Sequence, residues 1–388
     1  MPTTDTHTLI IGAGPFGLSL AAHLAARGVD HRIVGRPMEF WIAHMPKGMY
    51  LRSGCDWHLD PEGVDTIERY LAEHDLTVAQ VTPLSLERYL DYARWFVARK
   101  RLDIRPTYVT RLDYTGDAFE ANLDDGGRIV AGNVVVAIGF RYFAHVPPEL
   151  ADRLPAGRYA HTCDAVHLDA YADRRVLIIG GRQSAFEWAA LLREAGARQV
   201  HLSYRHDTPR FTEADWSWVT SIVDGMVDDP TWFRNLSSEE KERYRYRLWA
   251  EGRLKIEPWL AARVNRPNIS LHPRTRVMRA EVLPDDSLVA TLDSGEHIEV
   301  DSIIVATGYA VDVWRVPFLA RGNLLDRLRI ANGYPCLDAG FQSSVPGLFF
   351  TSFAAGQDFG PFFGFTVSVR AAAKILGARL TSPVKAGA

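Results

Sequence analysis

The chain has 388 residues, 47% hydrophobic and 23% charged, an ordinary globular balance with enough length for two packed domains. Its net charge of -3 gives no general reason to expect nucleic acid as a partner, and its longest apolar runs fall far short of a membrane span. Three dispersed cysteines, Cys55, Cys163 and Cys336, offer no disulfide framework, no Cys-x-x-Cys zinc or dithiol centre, and fit a cytoplasmic protein with no metal site.

The first strand begins by about His7, which leaves no room for a signal peptide. The apolar run Thr8–Ile11 reads as a strand, Leu18–Arg27 has helical spacing rich in Ala and Leu, and His31–Val34 returns as a strand. Between the first two lies Gly12-Ala13-Gly14-Pro15-Phe16-Gly17. In such a βαβ unit Gly12 permits the tight turn, Gly14 lets backbone approach a pyrophosphate, and Gly17 lets helix pack on strand. The helix N-terminus adds amide donors and a partial positive charge. An acidic residue is expected after the second strand to hold a ribose, but Gly35-Arg36-Pro37 stands there; Glu39 is the next carboxylate. Farther on, Arg52, Asp56, His58 and Asp60 crowd one stretch and read either as proton donors or as a turn with surface residues. A small antiparallel meander spans Arg111–Val130, with a turn at Asp124–Gly127, and ends in the apolar strand Asn133–Gly139.

The pattern then repeats. Arg175–Ile179 reads as a buried strand running into Gly180-Gly181-Arg182-Gln183-Ser184-Ala185, with Arg182 where such turns carry their middle glycine. Its partner strand Gln199–Tyr204 is followed by Arg205, His206 and Arg210, where an NAD-binding domain places a carboxylate on the ribose 2′-hydroxyl. An arginine there can fork onto a 2′-phosphate, which favours NADPH over NADH. Arg182 can aim its guanidinium at the pyrophosphate or hold the nucleotide slightly away from the backbone.

From Phe211 to Val264 five tryptophans lie among charged runs, and Ser237 or Ser238 with Glu240 gives a helix-start signal, so a helical insertion is expected here. Its tryptophans read as a roof over a substrate cleft, an oligomer interface or plain core. A second meander, Val277–Val300, ends in Asp301–Tyr309, whose Ile-Val-Ala-Thr-Gly repeats the Val-Val-Ala-Ile-Gly of the first half. Such repetition indicates two homologous nucleotide domains. A last apolar strand, Gly347–Thr351, leads through the Gly- and Phe-rich loop Gln357–Phe365 to a helix over Phe365–Leu376.

These motifs in this order, Gly-x-Gly-Pro-x-Gly, a second glycine turn, Ala-Thr-Gly-Tyr and Gly-Leu-Phe-Phe-Thr, resemble the class B flavoprotein monooxygenases over nearly the whole chain. Gly181-Arg-Gln-Ser-Ala-Phe-Glu187 is most similar to the Gly-Gln-Ser-Ala-x-Glu of the ornithine and lysine N-hydroxylases, with the flavin-containing monooxygenases also near. The Baeyer-Villiger fingerprint survives only as Gly157-Arg-Tyr-Ala-His161, with Pro155 and Ala165 at its altered ends.

The resemblance implies an α/β fold of two Rossmann-like domains, each with a small β-meander: residues 1–155 for FAD, 156–309 for NADPH with a helical insertion at about 211–265, and 310–388 returning to the FAD domain. It implies that FAD contacts Gly12, Ala13, Gly14, Pro15, Phe16, Gly17, Arg36, Trp41, Leu51, Arg52, Val109, Ala137, Gly139, Phe363, Gly364 and Phe365. NADPH falls to Gly180 through Ala185, Arg205, Thr307 and Gly308, and catalytic roles to Arg52, Asp56, His58 and Gln357. The expected reaction is N-hydroxylation of a small amine by O2 through a flavin C4a-(hydro)peroxide, with S-oxidation or Baeyer-Villiger oxidation as runner-up. A disulfide reductase lacks its dithiol, and a non-oxygenating flavin or NADP(H) reductase or sensor is the other class. A homo-oligomer is compatible with the tryptophan-rich segment.

Overall fold

The computed structural model describes residues 4–381, so the outermost ends of the domains expected at 1–155 and 310–388 lie outside the described residues. Strand β1 (Thr6–Ile11) is followed by helix α1 (Pro15–Ala26), strand β2 (His31–Val34) and the short helix α2 (Glu39–Ala43). β1 and β2 pair in parallel, from Thr8 opposite His31 to Ile11 opposite Val34. Parallel pairing needs a crossover, and α1 supplies it. Its residues Pro15 through Leu24 are all buried, because the helix lies between the sheet and the helix Val369–Thr381.

Strands β3 (Ile104–Arg105), β4 (Val109–Tyr114), β5 (Phe119–Leu123) and β6 (Arg128–Val136) complete the first sheet in the order β3-β2-β1-β6-β5-β4. The first meander is therefore part of the main sheet. The nine-residue β6 serves both: its first half pairs antiparallel with β5, and its Val134-Val135-Val136 end pairs in parallel with β1 and with the strand Leu348–Phe350. A continuous valine run suits a strand covered on both faces. The last strand and the helix after it thus seat the chain's end on its beginning.

The second sheet is all parallel and carries β7 (Tyr159–His161), β8 (Arg175–Ile179) and β9 (Gln199–Tyr204), with Ile269–Pro273 on the outer side of β9 and Ser302–Val305 between β8 and β7. The second meander stands apart as a three-stranded antiparallel sheet over Val277–Val300, packed on Leu177, Ile303 and Val305. Both domains build their glycine turn the same way. Gly12 N–H donates to the Val34 carbonyl at 2.8 Å and Ala137 N–H to Ile11; Gly180 N–H donates to Ser203 at 3.0 Å and Ala306 N–H to Ile179. Gly12 and Gly180 have φ of 116° and 148°, a region that favours glycine, and a Cβ on Gly180 would lie 2.6 Å from the Ala306 carbonyl oxygen.

The insertion contributes the helices Ser217–Gly225 and Ser238–Arg253. The second starts at a reciprocal cap, Ser237 Oγ accepting from Glu240 N–H and Ser237 N–H donating to Glu240 Oε2 at 2.9 Å. Of the roles expected for the tryptophans, core packing is seen for Trp218, which meets Phe362 with ring centroids 5.8 Å apart, while Val219, Val223 and Leu248 join Phe362 and Val367 in one apolar cluster. Burying these rings against the returning segment ties the insertion to the first domain. Trp216 reaches the edge of the first domain's cleft, through Phe365 at 6.0 Å.

Candidate functional site

The C-terminal ends of β1, β2 and β6 open into a half-enclosed, mostly apolar cleft. That is where an open α/β sheet binds its ligand, outside the strand ends and at the point where strand order reverses. Its floor is the first glycine turn. Gly14 is the N-cap of α1 with no side-chain cap, Pro15 follows, and the first turn holds no acidic residue, so the helix's free N–H groups face the cleft unclaimed. A pyrophosphate fits that cradle, and nothing within 4 Å occupies the space a Gly14 Cβ would fill.

Of the residues expected to contact FAD, all but Gly17, Leu51, Arg52 and Phe363 line this cleft. Gly17 faces the other way, onto the Gly12 carbonyl. Leu51 is buried with its N–H on the Leu84 carbonyl, and Phe363 packs in the core 5.4 Å from both Phe341 and Phe359. Met38, at φ 54°, turns the chain so that its N–H meets the Ala13 carbonyl and α2 begins at Glu39, the one carboxylate in the cleft wall among the described residues. Beside it lies Tyr108, whose ring receives the guanidinium groups of Arg36 at 5.1 Å and Arg141 at 4.4 Å. Tyr108, Phe140, Arg141 and Tyr142 were not among the expected contacts. The signal for three of them was the aromatic and basic run directly after Gly139, at the end of an innermost strand.

The second turn repeats the uncapped start: Arg182 is the N-cap of the helix Gln183–Glu194, again without a side-chain cap or an acid in the first turn. Arg182 itself corrects the expectation. Its Nη1 donates to the Arg253 carbonyl at 2.6 Å and its guanidinium lies over Trp249 at 5.4 Å, so it closes the end of the insertion helix instead of facing the turn. Gln183 accepts from Glu257 N–H at 3.1 Å, Ser184 is exposed and Ala185 is buried. Arg205 stands exposed just past β9. Thr307 donates its hydroxyl to the His145 carbonyl and Gly308 accepts from His145 N–H, so both tie the second domain to the connecting segment.

None of the four catalytic candidates lines the cleft. Arg52 reaches away from it: Nε pairs with Glu257 Oε1 at 2.6 Å and Nη1 donates to the Gly252 carbonyl, a half-buried bolt onto the insertion. His58 is buried with Nε2 accepting from Arg370 Nη1 at 2.6 Å; burial, then the Arg370 charge, holds its pKa down at about 4, which leaves no proton to donate near neutrality. Asp56 is exposed, and Gln357 Oε1 accepts from Asn332 Nδ2 at 3.0 Å. Asp60 accepts from Lys100 at 2.8 Å and from the N–H groups of Glu62, Val64 and Asp65, the work of a turn residue.

Glu187, in the Gln-Ser-Ala-x-Glu stretch, is the site's unusual acid. Burial raises its pKa from 4.5 to about 7, against Arg263 at 3.6 Å, the Tyr50 N–H and Gln183. Between those two values the folded protein keeps a proton that the unfolded chain releases, so stability falls as pH rises through that window. The total is about 3 kcal/mol. Urea unfolding from about pH 5 to about pH 8 should show this decline and Glu187→Gln should flatten it; parallel profiles would remove Glu187 as the cause.

The pyridine nucleotide-disulphide oxidoreductase family matches residues 9–229. The chain is 25% identical to the FAD-dependent urate hydroxylase of Xanthomonas campestris pv. campestris over 69% of its own length and 60% of that protein. It is 35% identical to a ferredoxin–NADP reductase of Frankia alni over 51% of its length and 54% of that one. It thus spans little more than half of each relative. The ornithine N-hydroxylase of Kutzneria sp. 744, solved with reduced FAD, NADP+ and L-ornithine, superposes over 98% of this chain and 99% of that one with a TM-score of 0.79 at 17% identity. The two-domain α/β fold is therefore the fold of that enzyme.

Proposed function

Because this chain belongs to the pyridine nucleotide-disulphide oxidoreductase family, we propose that it is an FAD-dependent, NADPH-using monooxygenase that oxygenates a small amine at nitrogen. The observation that carries the reading is the duplication of an uncapped glycine turn, one copy at the floor of an aromatic cleft and the other in a second domain of the same construction. Superposition on an ornithine N-hydroxylase along nearly the whole chain supports the choice of nitrogen.

The amides of Gly12 to Phe16 and the N-terminus of α1 would hold the FAD pyrophosphate. Glu39, in the cleft wall, would accept from the adenosine ribose, and Arg36 and Arg141 brace Tyr108 beside it. Phe40, Trp41, Phe140 and the Gly364-Phe365 backbone form walls for a flat ring and exclude water from it. The second turn and Arg205 would hold NADPH. Bound FAD would supply hydride acceptance from NADPH and O2 activation, with one oxygen atom going to substrate and the other to water. With Arg52, His58 and Gln357 engaged elsewhere and Asp56 exposed outside the cleft, the chain's own part is orientation and dryness.

The purified protein should be yellow, consume O2 with NADPH, and add one oxygen atom to a small amine as read by product mass. A protein that stays colourless after incubation with FAD overturns the flavin reading. The likeness to a ferredoxin–NADP reductase favours a second reading, electron transfer without oxygenation. NADPH oxidation that reduces ferredoxin, with no oxygenated product from amines, sulfides or ketones, would select it.

A further inference from the structure

We propose that His44, Cys163 and Asp164 form a binding site for a zinc-class divalent cation at the seam between the two domains. A ring nitrogen of His44, the Cys163 sulfur and an Asp164 carboxylate oxygen all lie within 4.8 Å of one another. Nitrogen, thiolate and carboxylate are the donors Zn2+ takes, at about 2.0–2.3 Å, so small side-chain rotations would bring all three onto one ion. The spacing in sequence gives no hint of it, because His44 closes α2 in the first domain whereas Cys163 and Asp164 follow β7 in the second.

The surroundings are those of ligating side chains. His44 Nδ1 donates to the Cys163 carbonyl oxygen at 2.9 Å, which fixes ring and tautomer. His161 Nε2 donates to the Gly308 carbonyl at 3.0 Å, which leaves the Nδ1 lone pair 3.1 Å from Cys163 Sγ as the acceptor for the thiol hydrogen. Cys163 is buried, and zinc binds the thiolate, so the ion must displace the thiol proton. In that step the S–H bond breaks, its electron pair forms the metal–sulfur bond, and one proton is released to solvent. Three protein ligands leave a fourth position for water, and Asp164 is exposed, which suits an exchangeable ion. Because α2 also carries Phe40 and Trp41 of the cleft wall, a bound ion would brace that wall against the second domain.

The inference does not rest on the flavin reading. Calorimetric titration of the full-length protein with ZnCl2 should give one equivalent bound, with one proton released as read from the buffer dependence of the heat. Affinity should fall at least tenfold in Cys163→Ser and in His44→Ala. The exposed position makes Asp164→Asn a variant that keeps the fold, and it should weaken binding as well, with circular dichroism verifying all three. Absence of stoichiometric binding by the parent, or equal binding by the parent and every folded variant, overturns the site.

Discussion

A Gly14→Ala variant is expected to fold as the parent does and to bind FAD at least tenfold more weakly, whereas Gly17→Ala is expected to lose about 3 kcal/mol of stability. The two positions are three residues apart in one turn and differ in what a methyl group meets. At Gly14 the backbone is extended (φ -82°, ψ -173°), which any residue adopts, and nothing lies within 4 Å, so the added methyl enters only the space meant for a pyrophosphate. At Gly17 it would overlap the Gly12 carbonyl oxygen, a backbone atom that cannot swing aside, and α1 would have to lift off β1. Against a total stability of roughly 5–15 kcal/mol, the second change is severe. Urea unfolding of the two apoproteins, with flavin titration followed by absorbance, separates the effects. Parent-like FAD affinity in Gly14→Ala would mean that this turn does not carry the pyrophosphate.

Replacing Arg205 by Ala should raise KM for NADPH roughly ten- to hundredfold and leave KM for NADH nearly unchanged. Arg205 is exposed directly beyond β9 and has no hydrogen bond or ion pair among the described residues, so the fold makes no use of its charge. A residue in that place meets the 2′ position of the adenosine ribose, which is a phosphate in one cofactor and a hydroxyl in the other. Equal changes in both KM values would refute the assignment. Arg182 serves as the contrast, since its guanidinium is spent on the Arg253 carbonyl and Trp249. Its loss should loosen the insertion and change both nucleotides alike.

What could be read from the chain was whatever local chemistry fixes. The two glycine turns, the valine- and isoleucine-rich strands that close on them, and the Ser237–Glu240 cap each depend on residues a few positions apart. The misread positions are those whose partners are far away in sequence. Arg52 finds Glu257, His58 finds Arg370 and Arg182 finds Arg253, and nothing near any of the three predicts which way it turns. Charged residues grouped in Leu51–Pro61 resembled a reaction centre because a short stretch displays composition without direction. Glu39 is the intermediate case: its presence was plain, but its place in the wall depends on the left-handed Met38 and the bond to Ala13.

The strand Leu348–Phe350, laid against Val134–Val136, also sets a schedule for biosynthesis. The chain leaves the ribosome from its N-terminus, so the second sheet, whose strands all lie between Tyr159 and Val305, can close while the C-terminal segment is still inside the tunnel. The first sheet must wait with one edge of β6 bare, and Gly364 and Phe365 of the cleft wall arrive later still. The domain begun first is thus completed after the second, and its cleft wall closes only once the strand Leu348–Phe350 and the segment after it have been made.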